Sequence, residues 1–252
     1  MFYVKIPQRW LILEESTKKT RIWELDAFRG ICIIGVIIVH AVYDMTVIFG
    51  ADIKVPEFYY FIKDYGSVLF ILLSGICVTL GRNSLKRGAV VLGFGLVITL
   101  VMAVLTHIDP YSFGNVYFGV LHLLGVCMLI FPLFKKLPLW ASSLLAIVCV
   151  LLGFYFDTLR TENITPLVVL GIKNYGFFNV DYFPLFPNLG YFLIGSVMGR
   201  TLYKNKQSLL PRFPCENWLC RFFTLCGRHS LWIYLLHQPL VYAMLYLAFK
   251  VF

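Results

Sequence analysis

Four ionisable side chains, Asp26, Arg29, His40 and Asp44, stand on one otherwise apolar stretch, RIWELDAFRGICIIGVIIVHAVYD at 21–44. From Ala27 onward that stretch is long enough to cross a bilayer as a helix. At about 100° per residue the four groups fall within a stripe roughly 60° wide. Arg29 and His40 would lie on nearly the same face, roughly 16 Å apart along the axis. Ionisable groups inside a span usually face a bundle interior or a wet cavity rather than lipid. Histidine titrates near neutrality and can take or give a proton during group transfer. His40 is therefore the candidate catalytic base. Asp44 follows one turn later and is placed to accept a hydrogen bond from one ring nitrogen.

Two further histidines, His122 and His237, also fall inside apolar runs. Each could hold an acceptor or a developing oxyanion, and each could equally be structural. At the other end of the stripe, Asp26 suits the start of a helix and offers Arg29 an ion-pair partner. Arg29 could instead join Arg82 and Arg87 in holding an anion. Asp181, Asn115 and Tyr234 are the candidate substrate-binding residues. Asp181 stands where the chain re-enters an apolar run broken by Pro184 and Pro187. Asn115 shares a helical face with Gly119 and His122, and Tyr234 shares one with Ser230 and His237.

The elements that must position these groups are membrane helices. The chain is 252 residues long, 60% hydrophobic and only 14% charged, against about a quarter charged in soluble domains. Its mean hydropathy is +0.79. The expected fold is all-α, one polytopic bundle of about seven spans, near 27–49, 61–80, 89–106, 116–134, 138–156, 183–203 and 229–249. A single domain covers 1–252, with 1–26 as a cytosolic N-terminal segment. The segment 166–180 is too short to span and reads as a re-entrant piece or a surface turn.

Lys and Arg alternate between loops. Lys5, Arg9, Lys18, Lys19 and Arg21 share a side with Arg82, Lys86, Arg87, Lys135, Lys136 and the basic stretch from Arg200 to Arg228. The positive-inside rule puts the N-terminus in the cytosol and the C-terminus outside. The same alternation excludes a nucleic-acid surface, despite a net charge of +9. No metal site is expected, because Cys215, Cys220 and Cys226 form no CxxC pair.

RIWELDAFRGICIIGVIIVHAVYD, FGVLHLLGVCMLI, DYFPLFPNLGYFLIG and GRHSLWIYLLHQP together resemble the bacterial branch related to the catalytic domain of heparan-alpha-glucosaminide N-acetyltransferase. Asp26 and Arg29 as a DxxR, with His40 eleven residues later, also resemble the acyltransferase-3 family of sugar O-acetylases. The resemblance implies a transmembrane acyltransferase. Such proteins pass an acyl group from cytosolic acetyl-CoA, or another acyl-CoA, to an acceptor on the far side. Animal members carry asparagine at the place of His40 and a histidine slightly later. This chain has none between His40 and His107, so the base role falls to His40.

The expected protein is thus a multi-pass protein of the cell membrane, with a bacterial plasma membrane as the setting. It would acetylate an amine or hydroxyl of an extracytoplasmic glycan or amino sugar. Acyl-CoA, that acceptor and membrane lipid are its expected partners, and a homodimer is compatible with the sequence. The alternative is a proton-coupled transporter of a small or lipid-linked solute, since intramembrane histidines and aspartates also build proton relays.

Overall fold

A computed structural model describes residues 21–109, 114–163, 166–177, 179, 181–211 and 217–250. Lys5, Arg9, Lys18 and Lys19 of the expected cytosolic tail, with Arg212 and Cys215, lie outside the described residues. The described chain forms eight α-helices. They are α1 (Trp23–Tyr43), α2 (Glu57–Leu80), α3 (Ser84–Ile108), α4 (Val120–Lys135), α5 (Leu139–Thr158), α6 (Leu185–Leu202), α7 (Trp218–Arg228) and α8 (Ser230–Lys250). The all-α bundle is as expected, and seven of the helices overlap the seven apolar runs.

Local chemistry sets several helix starts. Pro56, Pro138 and Pro184 each stand in extended backbone at the N-cap of α2, α5 and α6, where a missing N–H costs nothing. The Asn83 side chain caps α3 by accepting the Lys86 N–H at 2.9 Å. At its far end α1 runs on into a π-helical turn, Asp44–Ile48.

Five helices are long and apolar enough to cross a membrane: α1 with its π turn, α2, α3, α5 and α8. The shorter α4 is apolar, and α6 falls outside that set. These two are the central helices, with half or nearly half their residues buried. They face protein rather than lipid, so their composition is released to include buried Asn188, Ser196 and several glycines. The main core joins them to α2 and α5 through Ile71, Leu123, Cys127, Cys149, Phe192 and Leu193. By contrast α3 and α5 expose rows of large apolar side chains, such as Leu96, Leu100, Ile147 and Leu151.

The tight helix pairs meet through glycine. A Cβ on Gly75 would overlap the Phe192 carbonyl, and one on Gly195 would overlap that of Leu72, so α2 lies directly on α6. Gly88 and Gly125 do the same for α3 and α4, and Gly153 and Gly190 for α5 and α6. Small residues let backbones approach where lipid supplies no hydrophobic drive to pair.

Two features differ from the sequence expectation. First, the fourth helix begins at Val120, not near 116. Gly119 is its N-cap in extended backbone, so Asn115 lies in the preceding loop and His122 in the first helical turn. The reason is tertiary: the Asp181 carboxylate accepts the Val120 N–H at 3.3 Å and caps the helix from a remote loop. Second, α7 is an additional helix in the long basic loop, strongly two-faced and packed along α1. Gly30 meets the Phe223 backbone and Gly227 meets that of Asp26, so α7 runs against α1. The segment near 166–180 is a 3-10 turn, Pro166–Val169, with a two-residue parallel pairing of Arg160–Thr161 and Lys173–Asn174.

Candidate active site between the first, second and last helices

The site is built on α1. Its inner turn is anchored by Glu24, whose carboxylate accepts from Leu209 N–H at 2.7 Å and Ser208 Oγ at 2.9 Å. Arg29 then locks three helices at one point. Its guanidinium donates to Asp26 Oδ1 at 3.1 Å, to the Gly227 carbonyl at 3.3 Å and to Cys77 Sγ at 2.9 Å. Arg228 reaches the other oxygen of Asp26 at 3.8 Å. The ion pair read from the sequence is present, and Arg29 also staples α1 to α2 and α7. Arg82 is exposed in the α2–α3 turn. Arg87 is exposed on the first turn of α3, with its guanidinium packed over Gly81.

Just above Arg29 a cavity of about 430 Å³ opens between α1 and α2. Cys32 and Phe223 line its lower part, and His40, Asp181 and Tyr234 its upper part. Along α1 the lining runs from Ile31 to His40, roughly 13 Å of helix rise. Most of the wall is apolar, and Gly35 and Gly66 leave room where α1 faces α2. The polar stripe therefore faces neighbouring helices and this cavity.

At the upper end, four of the candidate residues meet. The Tyr234 hydroxyl donates to Asp181 Oδ2 at 3.1 Å. The ring of His237 lies 5.3 Å from that of Tyr234 and 5.0 Å from that of His40. Asp181 reaches this point from the loop before α6 while also capping α4. Gly119 is essential to that approach, because a Cβ there would collide with the carboxylate. Burial pushes the Asp181 carboxyl up to about 6, against the lowering effect of the Tyr234 and Val120 hydrogen bonds.

Other candidates sit elsewhere. The buried Asp44 carboxylate is held by Gln238, whose Nε2 donates to both oxygens at 3.1 and 3.0 Å. Among the described residues no hydrogen bond joins Asp44 to His40. The reason is helical geometry: Asp44 begins the π turn and faces α8, where Gln238 meets it. His122 is fully engaged away from the cavity. Its Nδ1 accepts the Gly119 N–H at 3.2 Å, and its Nε2 lies 3.2 Å from Thr99 Oγ1, which itself donates to the Val116 carbonyl at 2.8 Å. Asn115 lies away from the cavity lining and donates its side-chain amide to the Tyr117 hydroxyl at 3.5 Å. Among the described residues no cluster of side chains could hold a metal.

Sequence reasoning passed over Gln238, Thr99 and Phe223. Gln238 did carry a signal: it is a lone side-chain amide in an apolar span, beside His237. Thr99 and Phe223 carried none, since an isolated threonine or phenylalanine in an apolar stretch reads as packing.

An arginine near one end, a cavity lined along roughly 13 Å of α1 and an imidazole–carboxylate–phenol cluster at its top together frame a site for moving a group. No curated protein and no solved structure matches the chain. A family model described as heparan-alpha-glucosaminide N-acetyltransferase, catalytic, matches residues 21–239, which take in α1, the cavity and the His237–Gln238–Pro239 stretch. The chain therefore belongs to the heparan-alpha-glucosaminide N-acetyltransferase catalytic-domain family, and is a membrane acetyltransferase by that membership.

Proposed function

We propose that the protein moves an acetyl group from cytosolic acetyl-CoA to an amine or hydroxyl of an amino sugar on the opposite membrane face. The observation that carries this reading is a continuous cavity that starts just above Arg29 and ends at His40, Asp181 and Tyr234. The phosphates of the donor would rest on the guanidiniums of Arg82 and Arg87, beside the fixed positive charge of Arg29. The pantetheine arm would lie along the apolar wall of α1. The thioester would then sit at His40.

His40 takes the proton of the acceptor as its nitrogen or oxygen attacks the thioester carbonyl. The tetrahedral intermediate collapses, the C–S bond breaks, and the proton passes to the departing thiolate. Asp181 and Tyr234 would hold the acceptor, an anionic carboxylate suiting the ammonium form of an amino sugar before it is deprotonated. The family name points to glucosamine as the acceptor sugar.

The proposed orientation is supported by the charged loops and by one contact pattern. His40 pairs with His237, Asp44 with Gln238 and Phe49 with Tyr242, so α1 and α8 run in the same sense. Their first residues therefore share a side, the cytosol by the positive-inside rule.

The test is mass spectrometry of the purified protein incubated with acetyl-CoA and glucosamine, beside His40→Ala. Acetylglucosamine should form with the unchanged protein. His40→Ala should lose transfer by about 100-fold or more while still binding acetyl-CoA. Failure of the unchanged protein to bind acetyl-CoA would end this reading and favour a transporter.

A further inference from the structure

The reading above leaves His40 without an orienting partner, because Asp44 is occupied by Gln238. A general base whose ring is free to turn is a poor one. In acid–base sites a second group usually fixes the tautomer and helps disperse the charge that develops. One group at the site has the geometry for that task.

His237 is buried, and it is absent from the lining of the cavity. Its Nδ1 lies 2.6 Å from the Tyr234 carbonyl oxygen, three residues back on the same helix. A carbonyl can only accept, so Nδ1 must carry the proton. That leaves Nε2 as a bare lone pair. This nitrogen is sealed from solvent and has no hydrogen-bond partner among the described residues. A buried acceptor without a donor costs about 1–3 kcal/mol and calls for an explanation. The ring of His40 lies 5.0 Å away between centroids, tilted by 59°. Neither His40 nitrogen has a hydrogen bond to a described residue, so two neighbouring rings hold a spare donor and an unfilled acceptor.

We propose that His237 is the positioning residue of His40: its Nε2 accepts the proton on the inner nitrogen of His40 and so turns the outer nitrogen, as a lone pair, toward the cavity. This proposal rests on the acetyltransferase reading and deepens it. In the transfer step the outer nitrogen of His40 gains the proton of the acceptor. The inner nitrogen passes its own proton to Nε2 of His237. His237 then carries the positive charge, with its Nδ1–H still donated to the Tyr234 carbonyl. The relay runs backward when the CoA thiolate leaves: Nε2 returns its proton to His40, and His40 protonates the sulfur. Protons balance, and both rings end in the tautomers they started from.

The groups packed around the pair fit this role. Tyr234 is committed to Asp181 by its hydroxyl and to His237 by its carbonyl. Asp44 is committed to Gln238, and Asp181 to Tyr234 and the α4 amide. His237 thus does for His40 what a carboxylate does in the familiar imidazole–carboxylate pairs, from a neutral resting state.

The experiment uses the full-length protein in detergent. His237→Phe keeps the bulk of the ring and removes the acceptor; His237→Ala leaves a hole that free imidazole can enter. Both variants should bind acetyl-CoA within about threefold of the unchanged protein and lose about 100-fold in kcat. Added imidazole should restore at least about tenfold in His237→Ala and nothing in His237→Phe. In the unchanged protein, 15N spectra of the labelled histidines should show His237 protonated at Nδ1 and bare at Nε2. Full activity in His237→Phe, or a proton found on Nε2 with Nδ1 bare, would overturn the proposal. Failure of the unchanged protein to bind acetyl-CoA would instead strike the acetyltransferase reading, and the nitrogen spectrum would still decide the tautomer.

Discussion

Asp181 carries two duties that one carboxylate seldom combines: it caps α4 through the Val120 N–H and accepts from Tyr234 at the top of the cavity. Its folded-state acidity is weakened to about 6 by burial. The unfolded chain would release that proton near 3.8, so the folded state binds more protons between the two values. Stability from this group is therefore fully present below about 3.8 and is lost as the pH rises through about 6. Thermal melts in detergent from pH 4 to 7 should show this fall, and Asp181→Asn should flatten it. Gly119→Ala would push a methyl group into the same carboxylate, and should cost about 1–3 kcal/mol with loss of acetyl transfer. At this scale the sequence was a partial guide. Residue types flagged His40, His237, Tyr234 and Asp181 as chemistry in the wrong solvent. Their types did not reveal their partners: Asp44 lies one turn from His40 along the chain, yet meets Gln238 across space.

Among the elements, α1 is held at its inner end by α7 and beyond its outer end by Gln238 on Asp44. At the inner end Gly30 and Gly227 bring α1 and α7 into backbone contact, and Arg29 pins the crossing. A side chain at Gly227 would meet the Asp26 carbonyl itself, which cannot yield as a flexible side chain can. Gly227→Val should thus cost more than the about 1–3 kcal/mol of ordinary overpacking, read as a lower melting temperature and weaker acetyl-CoA binding. Further up, Gly35 faces Ile62 across the cavity. Gly35→Phe would fill the proposed pantetheine path without touching His40. Acetyl-CoA affinity should drop by about tenfold or more, while the melting temperature moves little. Helix positions were legible because each lipid-facing run must be apolar along its whole length. The start of α4 and the existence of α7 were not. The first is set by a carboxylate 61 residues away. The second is a short two-faced helix, too polar to stand out on hydropathy.

For the whole molecule, the arrangement makes one geometric commitment: α1 and α8 run in the same sense and α2 runs against α1. The latter is shown by Arg29 on Cys77 and by the Tyr59 hydroxyl on the Val39 carbonyl. In a cysteine-free background, Ser84→Cys and Ser230→Cys should be labelled by an impermeant maleimide from one face, and Glu57→Cys from the other. Labelling of Ser84→Cys and Ser230→Cys from opposite faces would remove the proposed route from cytosol to exterior. The amino-acid sequence by itself determined the membrane setting, the number of apolar runs and the family, since lipid admits few backbone solutions and each of the four motifs is a continuous stretch of chain. Only the tertiary structure decided which polar groups meet. Helical periodicity sets the face a residue occupies, whereas packing between helices distant in the chain sets what that face touches. That is why His40 was found from the sequence, and His237 at its side only from the fold.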